Sequence, residues 1–150
     1  MRIEHTKDIQ VLRPLAEHWL SECNAYDLGL VVSMADIQKD LEDWMGTFPG
    51  TIILVYDGVE LVGFMPVFAV KCFLGPQTIV IEKYWYASKS HHVAGPMMFV
   101  EACRWAKENK CSHLLMSASN LASGMHDKCC KFYERMGMKV FETSYVMEIK

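Results

Sequence analysis

The segment KFYERMGMKVFE, residues 131–142, encodes a helix end, a glycine stop and the start of a strand. Phe132 and Tyr133 come about one turn before Gly137, and glycine is the residue that most often ends a helix in a left-handed conformation. The β-branched and aromatic residues after it favour a strand. The segment therefore holds a tyrosine hydroxyl beside a sheet, where it serves either as core filler or as a proton donor.

Length and composition predict one globular domain over residues 1–150. Hydrophobic residues make up 51% of the chain and charged residues 22%, which is ordinary for a globular protein. The net charge is −3, and no run of Lys and Arg exceeds two residues. A nucleic-acid-binding protein normally carries a basic stripe, so we expect no nucleic-acid partner.

Membrane insertion and export are not expected either. No apolar run approaches the ~18 residues that a membrane-spanning helix needs, and the first residues lack the pattern of a signal peptide. No C-x-x-C pair occurs among the six cysteines. We therefore expect a cytoplasmic protein without a membrane partner, whose cysteines are reduced thiols that pack as small hydrophobic residues.

The spacing of apolar residues and the positions of Gly and Pro predict the order of the helices and strands. Asp57-Gly58 suits a tight hairpin turn, and Gly63 and Pro66 are expected to mark a bulge or an unpaired edge in the strand that follows. Strands followed by alternating helices and strands indicate an α/β protein with a single mixed, twisted sheet of six to seven strands and helices on both faces. The predicted strands are 2–5, 51–56, 60–73, 78–86, 112–118 and 139–149, and the predicted helices are about 12–23, 33–46, 96–109 and 125–136.

A phosphate site is predicted where the fourth strand leads into the third helix. Ligands of open α/β sheets gather at the carboxyl ends of parallel strands, where helix N-termini present unpaired N–H groups. Gly95 allows close backbone approach, and Pro96 suits a first helical turn. Lys89, His91 and His92 add cationic groups. A polar turn without a ligand is the alternative for this loop.

The order of these elements, together with two motifs, resembles the GNAT superfamily of N-acetyltransferases. The family motif R/Q-x-x-G-x-G/A aligns with the six residues that end at Gly95, although the Arg or Gln is Ser90 and the first Gly is Val93. The family motif N-x-x-A-x-x-φ-Y-x-x-x-G-F aligns with residues 126–138. There Tyr133 and Gly137 match, while His126 replaces the Asn.

The resemblance implies acetyl-CoA as co-substrate and a primary amine as acceptor. It implies that the CoA pyrophosphate is held by the loop, and that the backbone near Trp85 and Tyr86 polarises the thioester carbonyl. Tyr133 would lie near the CoA sulfur as general acid, and His126 would lie beside the cofactor. The predicted pyrophosphate-binding residues are Ser90, His91, His92, Val93, Ala94 and Gly95.

Acetyl transfer also needs a base, because an amine attacks only when it is neutral. Glu82 is the leading candidate, since regular alternation in the strand 78–86 would place it on one face with Tyr84 and Tyr86. A carboxylate among aromatic side chains has a raised pKa. His91, His92 and His126 are alternatives. No His or Cys spacing indicates a metal site.

Two other readings stay open. The same fold could be a binding or regulatory protein that acts through CoA or protein contacts, which the altered pyrophosphate loop favours. An unrelated α/β protein without a link to CoA is the third. Terminal strands of this length also allow a homodimer. The sequence does not identify the acceptor, although Asp27, Asp36, Asp40 and Glu42 give the N-terminal region an acidic character that suits a cationic one.

Overall fold

The computed structural model describes residues 1–23, 25–121 and 125–149. Short 3₁₀ turns at Ile9–Leu12, Ala25–Leu28 and Lys89–His91 connect the regular elements. The helices are α1 (Arg13–Ser21), α2 (Met34–Thr47), α3 (Ala94–Glu108) and α4 (His126–Arg135). The strands are β1 (Arg2–Thr6), β2 (Gly50–Asp57), β3 (Glu60–Lys71), β4 (Thr78–Glu82), β5 (Tyr86–Ala87) and β6 (His113–Leu115).

The strands form one mixed sheet in the order β1-β2-β3-β4-β6, and β5 pairs with β3 beyond the end of β4. Neighbouring strands are antiparallel except β4 and β6, which are parallel because α3 connects them. The predicted fold class, an α/β protein with a mixed sheet, is confirmed.

Several boundaries of helices and strands were predicted correctly from single residues in the sequence. The side chain of Ser33 accepts a hydrogen bond from the backbone N–H of Asp36 at 3.1 Å and so caps α2. Gly58 has φ +58° in the turn between β2 and β3, as a tight hairpin requires. Gly137 ends α4 with φ +79°. Each of these positions depends only on residues close in the sequence.

The sheet is the middle of three layers. In β2, Ile53 and Val55 point toward α3, where they meet Met98, while the alternate residues Ile52 and Leu54 point toward α1 and α2. The central strand β3 is buried on both faces over most of its length. Helices therefore cover both faces of the sheet, and the carboxyl end of β4 lies between the two layers.

A one-residue bulge separates β4 from β5. Their common neighbour β3 pairs Val67 with Glu82 and then Phe64 with Tyr86, so two residues of β3 face three residues of the other strand. Pro66 lies at this place and has no N–H to donate, while its carbonyl accepts from the Lys83 N–H at 3.0 Å. The predicted irregularity near Pro66 is confirmed, but the uninterrupted strand predicted over 78–86 is wrong.

The prediction of a strand over 139–149 is also wrong. These residues are exposed and belong to no strand. A strand needs a neighbour that accepts and donates its backbone hydrogen bonds, and alternation in the sequence does not supply one. The predicted strand 112–118 is likewise shortened to β6. Within the described residues, no helix is both long and apolar enough to span a membrane.

Candidate functional site

The candidate site lies where β4 and β6 stop pairing. Their parallel ladder ends with Ile81 opposite Leu115. Beyond it, a carboxylate oxygen of Glu82 accepts a hydrogen bond from the backbone N–H of Ser117 at 2.8 Å. A side chain thus replaces the backbone contact between the two strands, at the carboxyl ends where α/β sheets bind ligands.

Tyr133 reaches the same residue from α4. Its ring is buried, and its hydroxyl donates to the Ser117 carbonyl at 2.8 Å. The helix places Tyr133 one turn after Cys129, so both side chains face the end of β4. The two residues predicted to be catalytic, Glu82 and Tyr133, are therefore brought together on the backbone of Ser117.

Burial shifts the acid–base properties of both residues in the same direction. It raises the pKa of the Glu82 carboxyl above its usual value, and the Ser117 N–H offsets part of this effect. Burial also raises the pKa of the Tyr133 hydroxyl, with smaller contributions from Cys129 and Glu82. Tyr133 is consequently protonated at neutral pH and is a weaker acid than a free tyrosine, while the carboxylate of Glu82 is a stronger base than a free carboxylate.

Trp85 lies beside Tyr133 as the third residue of the site. Its indole stacks on the Tyr133 ring, with the ring centroids 5.8 Å apart and the planes 24° apart. It also packs against Phe132 at 5.7 Å. Its Nε1 is buried and has no hydrogen-bond partner among the described residues. Because buried N–H groups are nearly always paired, this indole is a donor that a bound ligand can satisfy.

The first turn of α3 adjoins the indole. A Cβ on Gly95 would lie 3.4 Å from the Trp85 ring, so the glycine lets the helix start and the indole pack closely. Val93 is the N-cap residue, and its side chain offers no hydrogen bond to the helix. The backbone N–H groups of Ala94 and Gly95 precede the first intrahelical hydrogen bond, from the Met97 N–H to the Val93 carbonyl, and N–H groups in this position can bind an anion. Ala94 and Gly95 are buried within α3 rather than in the predicted loop.

The polar residues before α3 contact one another. The Ser90 hydroxyl lies 2.9 Å from that of Ser88 and 3.0 Å from Nδ1 of His91. Nε2 of His91 lies 3.4 Å from a carboxylate oxygen of Asp57, the last residue of β2. His92 is exposed. These predicted residues thus border the start of α3 but do not reach Tyr133.

His126 is the first residue of α4. Its Nδ1 lies 3.0 Å from a carboxylate oxygen of Asp127, and its ring lies 3.9 Å from the Cys130 sulfur. These contacts do not join it to Glu82 or Tyr133, and His91 is engaged with Asp57. Of the residues predicted as the base, Glu82 is the one that shares a contact residue, Ser117, with Tyr133. In the described ranges, no group of three or more His, Cys, Asp or Glu side chains could hold a metal ion.

A second polar network, which the sequence did not indicate, lies on the opposite face of the sheet. The Tyr84 hydroxyl donates to Asp40 of α2 at 3.2 Å, and the Tyr86 hydroxyl donates to Glu22 at 3.3 Å. The prediction that Glu82 shares a face with Tyr84 and Tyr86 is wrong, because the bulge inserts a residue between them. In the sequence, Pro66 was the residue that indicated an irregularity where the side chains change from one face of the sheet to the other.

Each carboxylate of this second network also forms an ion pair with a lysine. Nζ of Lys83 lies 3.1 Å from Asp40, and Nζ of the exposed Lys89 lies 3.0 Å from Glu22. Burial, followed by the neighbouring Glu22 charge, raises the pKa of Tyr86 to about 12. The Tyr86 side chain faces the layer formed by α1 and α2, and the prediction that the backbone near Trp85 and Tyr86 contacts the cofactor stays a prediction.

No protein-family model and no curated protein sequence matches the chain. Solved structures match over its full length. A ribosomal-protein-alanine N-acetyltransferase from Brucella melitensis biovar Abortus 2308 is 14% identical with a TM-score of 0.67, and the match covers 99% of this chain and 100% of that one. An aminoglycoside antibiotic 6'-N-acetyltransferase from Acinetobacter haemolyticus is 15% identical with a TM-score of 0.67, over 100% and 99% of the two chains.

A transcriptional regulator from Bacillus halodurans C-125 is also similar, with 14% identity, a TM-score of 0.73 and coverage of 99% and 100%. At these identities the similarity establishes the fold. The chain has the fold of the GNAT-type acetyltransferases, so the expected resemblance is confirmed at the level of architecture.

Proposed function

We propose that this chain is an N-acetyltransferase that transfers the acetyl group of acetyl-CoA to a primary amine. The observation that carries the proposal is the convergence of Glu82 and Tyr133 on Ser117, each through a 2.8 Å hydrogen bond, where β4 and β6 cease to pair. The full-length similarity to acetyltransferase structures supports the same reading.

The residues beside this point fit acetyl-CoA. The backbone N–H groups of Ala94 and Gly95, at the positive end of α3, would hold its pyrophosphate, because they need no particular side chain. The Trp85 indole N–H would donate to an acceptor of the bound molecule and so lose its unpaired state. When bound, acetyl-CoA supplies an activated acetyl thioester.

The protein's own side chains would carry out the proton transfers of the reaction. The reaction forms an amide C–N bond, breaks the thioester C–S bond and moves one proton from the amine to the leaving sulfur. Glu82 would take the proton from the amine, directly or through one water, and Tyr133 would donate a proton to the sulfur. Burial keeps Tyr133 protonated, so it has a proton to give, and it raises the pKa of Glu82, so the ionised carboxylate takes up a proton more strongly than a free carboxylate does.

A binding or regulatory protein that acts through CoA or protein contacts, with weak activity or none, is the second candidate. Val93 stands where the family motif has a glycine and Ser90 where it has Arg or Gln, and one structural neighbour is a transcriptional regulator. Such a protein would bind acetyl-CoA weakly or not at all, or would bind it and release little or no thiol. Binding and turnover therefore have to be measured separately.

The direct test combines a binding and a turnover assay. Acetyl-CoA at 100 times its dissociation constant is expected to stabilise the fold by about 2.7 kcal/mol, which appears as a rise in the unfolding temperature. A panel of amines, peptides and polyamines is expected to contain acceptors that give free-thiol release. The enzyme reading is overturned by the absence of stabilisation. Stabilisation without thiol release from any amine would favour the regulatory reading.

Replacement of Tyr133 by Phe tests the proton donor. The change removes only the hydroxyl, so turnover should fall by about 10²- to 10⁴-fold while the dissociation constant for acetyl-CoA stays close to that of the wild type. Loss of the bond to Ser117 should cost about 1 kcal/mol of stability. Tyr145→Phe is the matched control, because Tyr145 is 94% exposed. Equal turnover of the wild type and Tyr133→Phe would remove Tyr133 from the chemistry.

A further inference from the structure

The thiol of Cys130 contacts a histidine at the start of α4. Its Sγ lies 3.9 Å from Nε2 and 4.0 Å from Nδ1 of His126, one helical turn earlier. All six cysteines lie in described parts of the chain and are free, and among them Cys130 is the one whose thiol has such a contact. A thiol within reach of an imidazole is the arrangement that activates a cysteine, because the thiolate is the nucleophilic form.

Asp127 holds this histidine in the form that a base requires. One of its carboxylate oxygens lies 3.0 Å from Nδ1 of His126, and the hydrogen bond from His126 lowers the pKa of the Asp127 carboxyl. An ionised carboxylate only accepts hydrogen bonds, so Nδ1 donates and Nε2 of the neutral ring keeps its lone pair. Asp127, His126 and Cys130 thus supply an orienting carboxylate, a base and a thiol, which are the three parts of an activated nucleophile.

These three residues border the candidate acetyl-CoA site. Cys130 lies three residues before Tyr133 on α4, so the two side chains occupy neighbouring positions on the helix surface. Cys130 is close enough to contribute to the raised pKa of Tyr133. The side chains of His126 and Asp127 are 42% and 90% exposed, and Cys130 is half-buried. A ligand beside Tyr133 can therefore reach the thiol.

Other cysteines of the chain are less reactive than a free thiol. Burial raises the pKa values of Cys103, Cys111 and Cys129, so less thiolate is present at neutral pH. Cys129 adjoins Cys130 in the sequence, yet it makes no hydrogen bond to a histidine among the described residues. The contact with His126, and not the position on α4, therefore distinguishes Cys130 from its neighbour.

We propose that Cys130 is a site of reversible self-acetylation, at which its thiol takes the acetyl group of acetyl-CoA when no amine is bound. This inference rests on the proposed function, which places acetyl-CoA beside Tyr133. His126 takes the proton of the Cys130 thiol at Nε2, and the sulfur attacks the acetyl carbonyl. A C–S bond to Cys130 forms, the C–S bond to CoA breaks, and the proton passes from His126 to the CoA sulfur.

The modification is reversible because one thioester is exchanged for another. The same kind of bond is broken and formed, so the acetylated fraction of Cys130 should follow the ratio of acetyl-CoA to CoA. Acetylation of a lysine gives an amide, which does not return its acetyl group to CoA in this way. Lys128 and Lys131 lie close to Cys130 in the sequence, so the test has to distinguish a thioester from an amide.

Alkylation of the protein alone tests the activated thiol. Iodoacetamide at pH 7, followed by peptide fragmentation in a mass spectrometer, gives the rate for each cysteine in the same molecule. A free thiol with a pKa of ~8.5 is about 3% thiolate at this pH. We expect Cys130 to react about tenfold or more faster than Cys129, and His126→Gln to remove most of this difference.

His113→Gln is the matched control for alkylation, because His113 is exposed at the start of β6 and should not change the rate at Cys130. The unfolding temperatures of both variants show whether the fold is kept. Equal rates at Cys129 and Cys130 in the wild type would overturn the proposal. So would a Cys130 rate in folded His126→Gln that equals the wild-type rate.

Acetyl-CoA without an amine tests the acetylation itself. We expect the mass of one acetyl group on Cys130, removed by excess CoA or by neutral hydroxylamine, and no such group in Cys130→Ser. Cys72→Ser, which changes a cysteine next to β3, should be acetylated like the wild type. A protein that acetyl-CoA stabilises but leaves unmodified would overturn this inference and leave the proposed function standing. Acetylated Cys130 without thiol release to any amine would support this inference and not the proposed function, and neither stabilisation nor acetylation would overturn both.

Discussion

Glu82 owes its position to one extra residue between β4 and β5. It is the last residue of β4 and pairs with Val67, so its side chain points toward α3 and α4. After the bulge, Tyr86 pairs with Phe64 and points toward α1 and α2. A single inserted residue thus divides the polar side chains of this region between two chemically different faces.

Replacement of Glu82 by Gln should lower activity and raise stability. Gln keeps an acceptor for the Ser117 N–H but cannot take a proton, so turnover should fall by about 10²- to 10⁴-fold. Burial makes the pKa of the Glu82 carboxyl higher in the folded state than in the unfolded chain, where it is ~4.3. The stability of the wild type therefore falls as the pH rises from the unfolded-state pKa to the folded-state pKa.

Thermal unfolding at a series of pH values measures the second effect. At pH values above the folded-state pKa of Glu82, the Glu82→Gln variant should unfold at a higher temperature than the wild type. The difference between the two unfolding temperatures should shrink as the pH falls toward ~4. Glu134→Gln, at an exposed position of α4, should match the wild type throughout. A Glu82→Gln variant less stable than the wild type at neutral pH would contradict a destabilising buried carboxylate.

At the scale of elements, α3 makes two separate sets of contacts along its length. Its first turn faces Trp85 and the candidate cofactor site. Its middle is tied to β1, because Nε2 of His5 lies 2.6 Å from a carboxylate oxygen of Glu101. Arg104 also donates to Glu101, with Nε 2.9 Å from the second oxygen. This buried carboxylate fixes where the helix lies over the sheet.

Glu101→Gln should show the opposite pH dependence to Glu82→Gln. The hydrogen bond from Arg104 lowers the pKa of the Glu101 carboxyl. Its stabilisation is therefore present above the unfolded-state pKa, ~4.3, and is lost as the pH falls through the lower folded value. The wild type should unfold at a higher temperature than Glu101→Gln at neutral pH, and the difference should narrow in acid.

The matched control is Glu108→Gln. Glu108 pairs with the same Arg104 but is 53% exposed, so its loss should have little effect, as is usual for surface ion pairs. Equal destabilisation by the two variants in urea or thermal unfolding would show that burial of Glu101 is not the cause.

At the scale of the molecule, one sheet supports both helical layers. Met98 of α3 is fully buried against it, and the glycine at position 63 of β3 makes room, since a Cβ there would lie 2.9 Å from the Met98 methyl. The opposite face packs Phe64 and Phe68 against α1 and α2. Loss of packing in either layer therefore reaches the strand that carries the site.

Met98→Ala should lower the free energy of unfolding by about 2–5 kcal/mol through loss of contacts and a residual cavity. The transition should remain single, because both layers share the sheet. Val100→Ala on the same helix is the control, since Val100 is 61% exposed and should change stability by no more than a few tenths of a kcal/mol. A comparable loss in both variants by urea unfolding would mean that burial of Met98 in the core is not the cause.

The sequence by itself determined the type and order of most elements, the hairpin at Asp57-Gly58, the Ser33 cap and the stop at Gly137. It also placed Tyr133 on a helix beside the sheet. These features depend on side-chain periodicity and on backbone preferences of residues that are near one another in the chain. They could be predicted because no distant segment changes them.

Only the tertiary structure decided which face Glu82 occupies, that Glu82 and Tyr133 meet at Ser117, and that residues 139–149 have no strand partner among the described residues. Each of these depends on the pairing of distant segments. A strand obtains its hydrogen bonds from another strand, so its register and its bulges are properties of the pair. Periodicity in residues 78–86 could not reveal the extra residue, because that residue is defined only against Pro66 in β3.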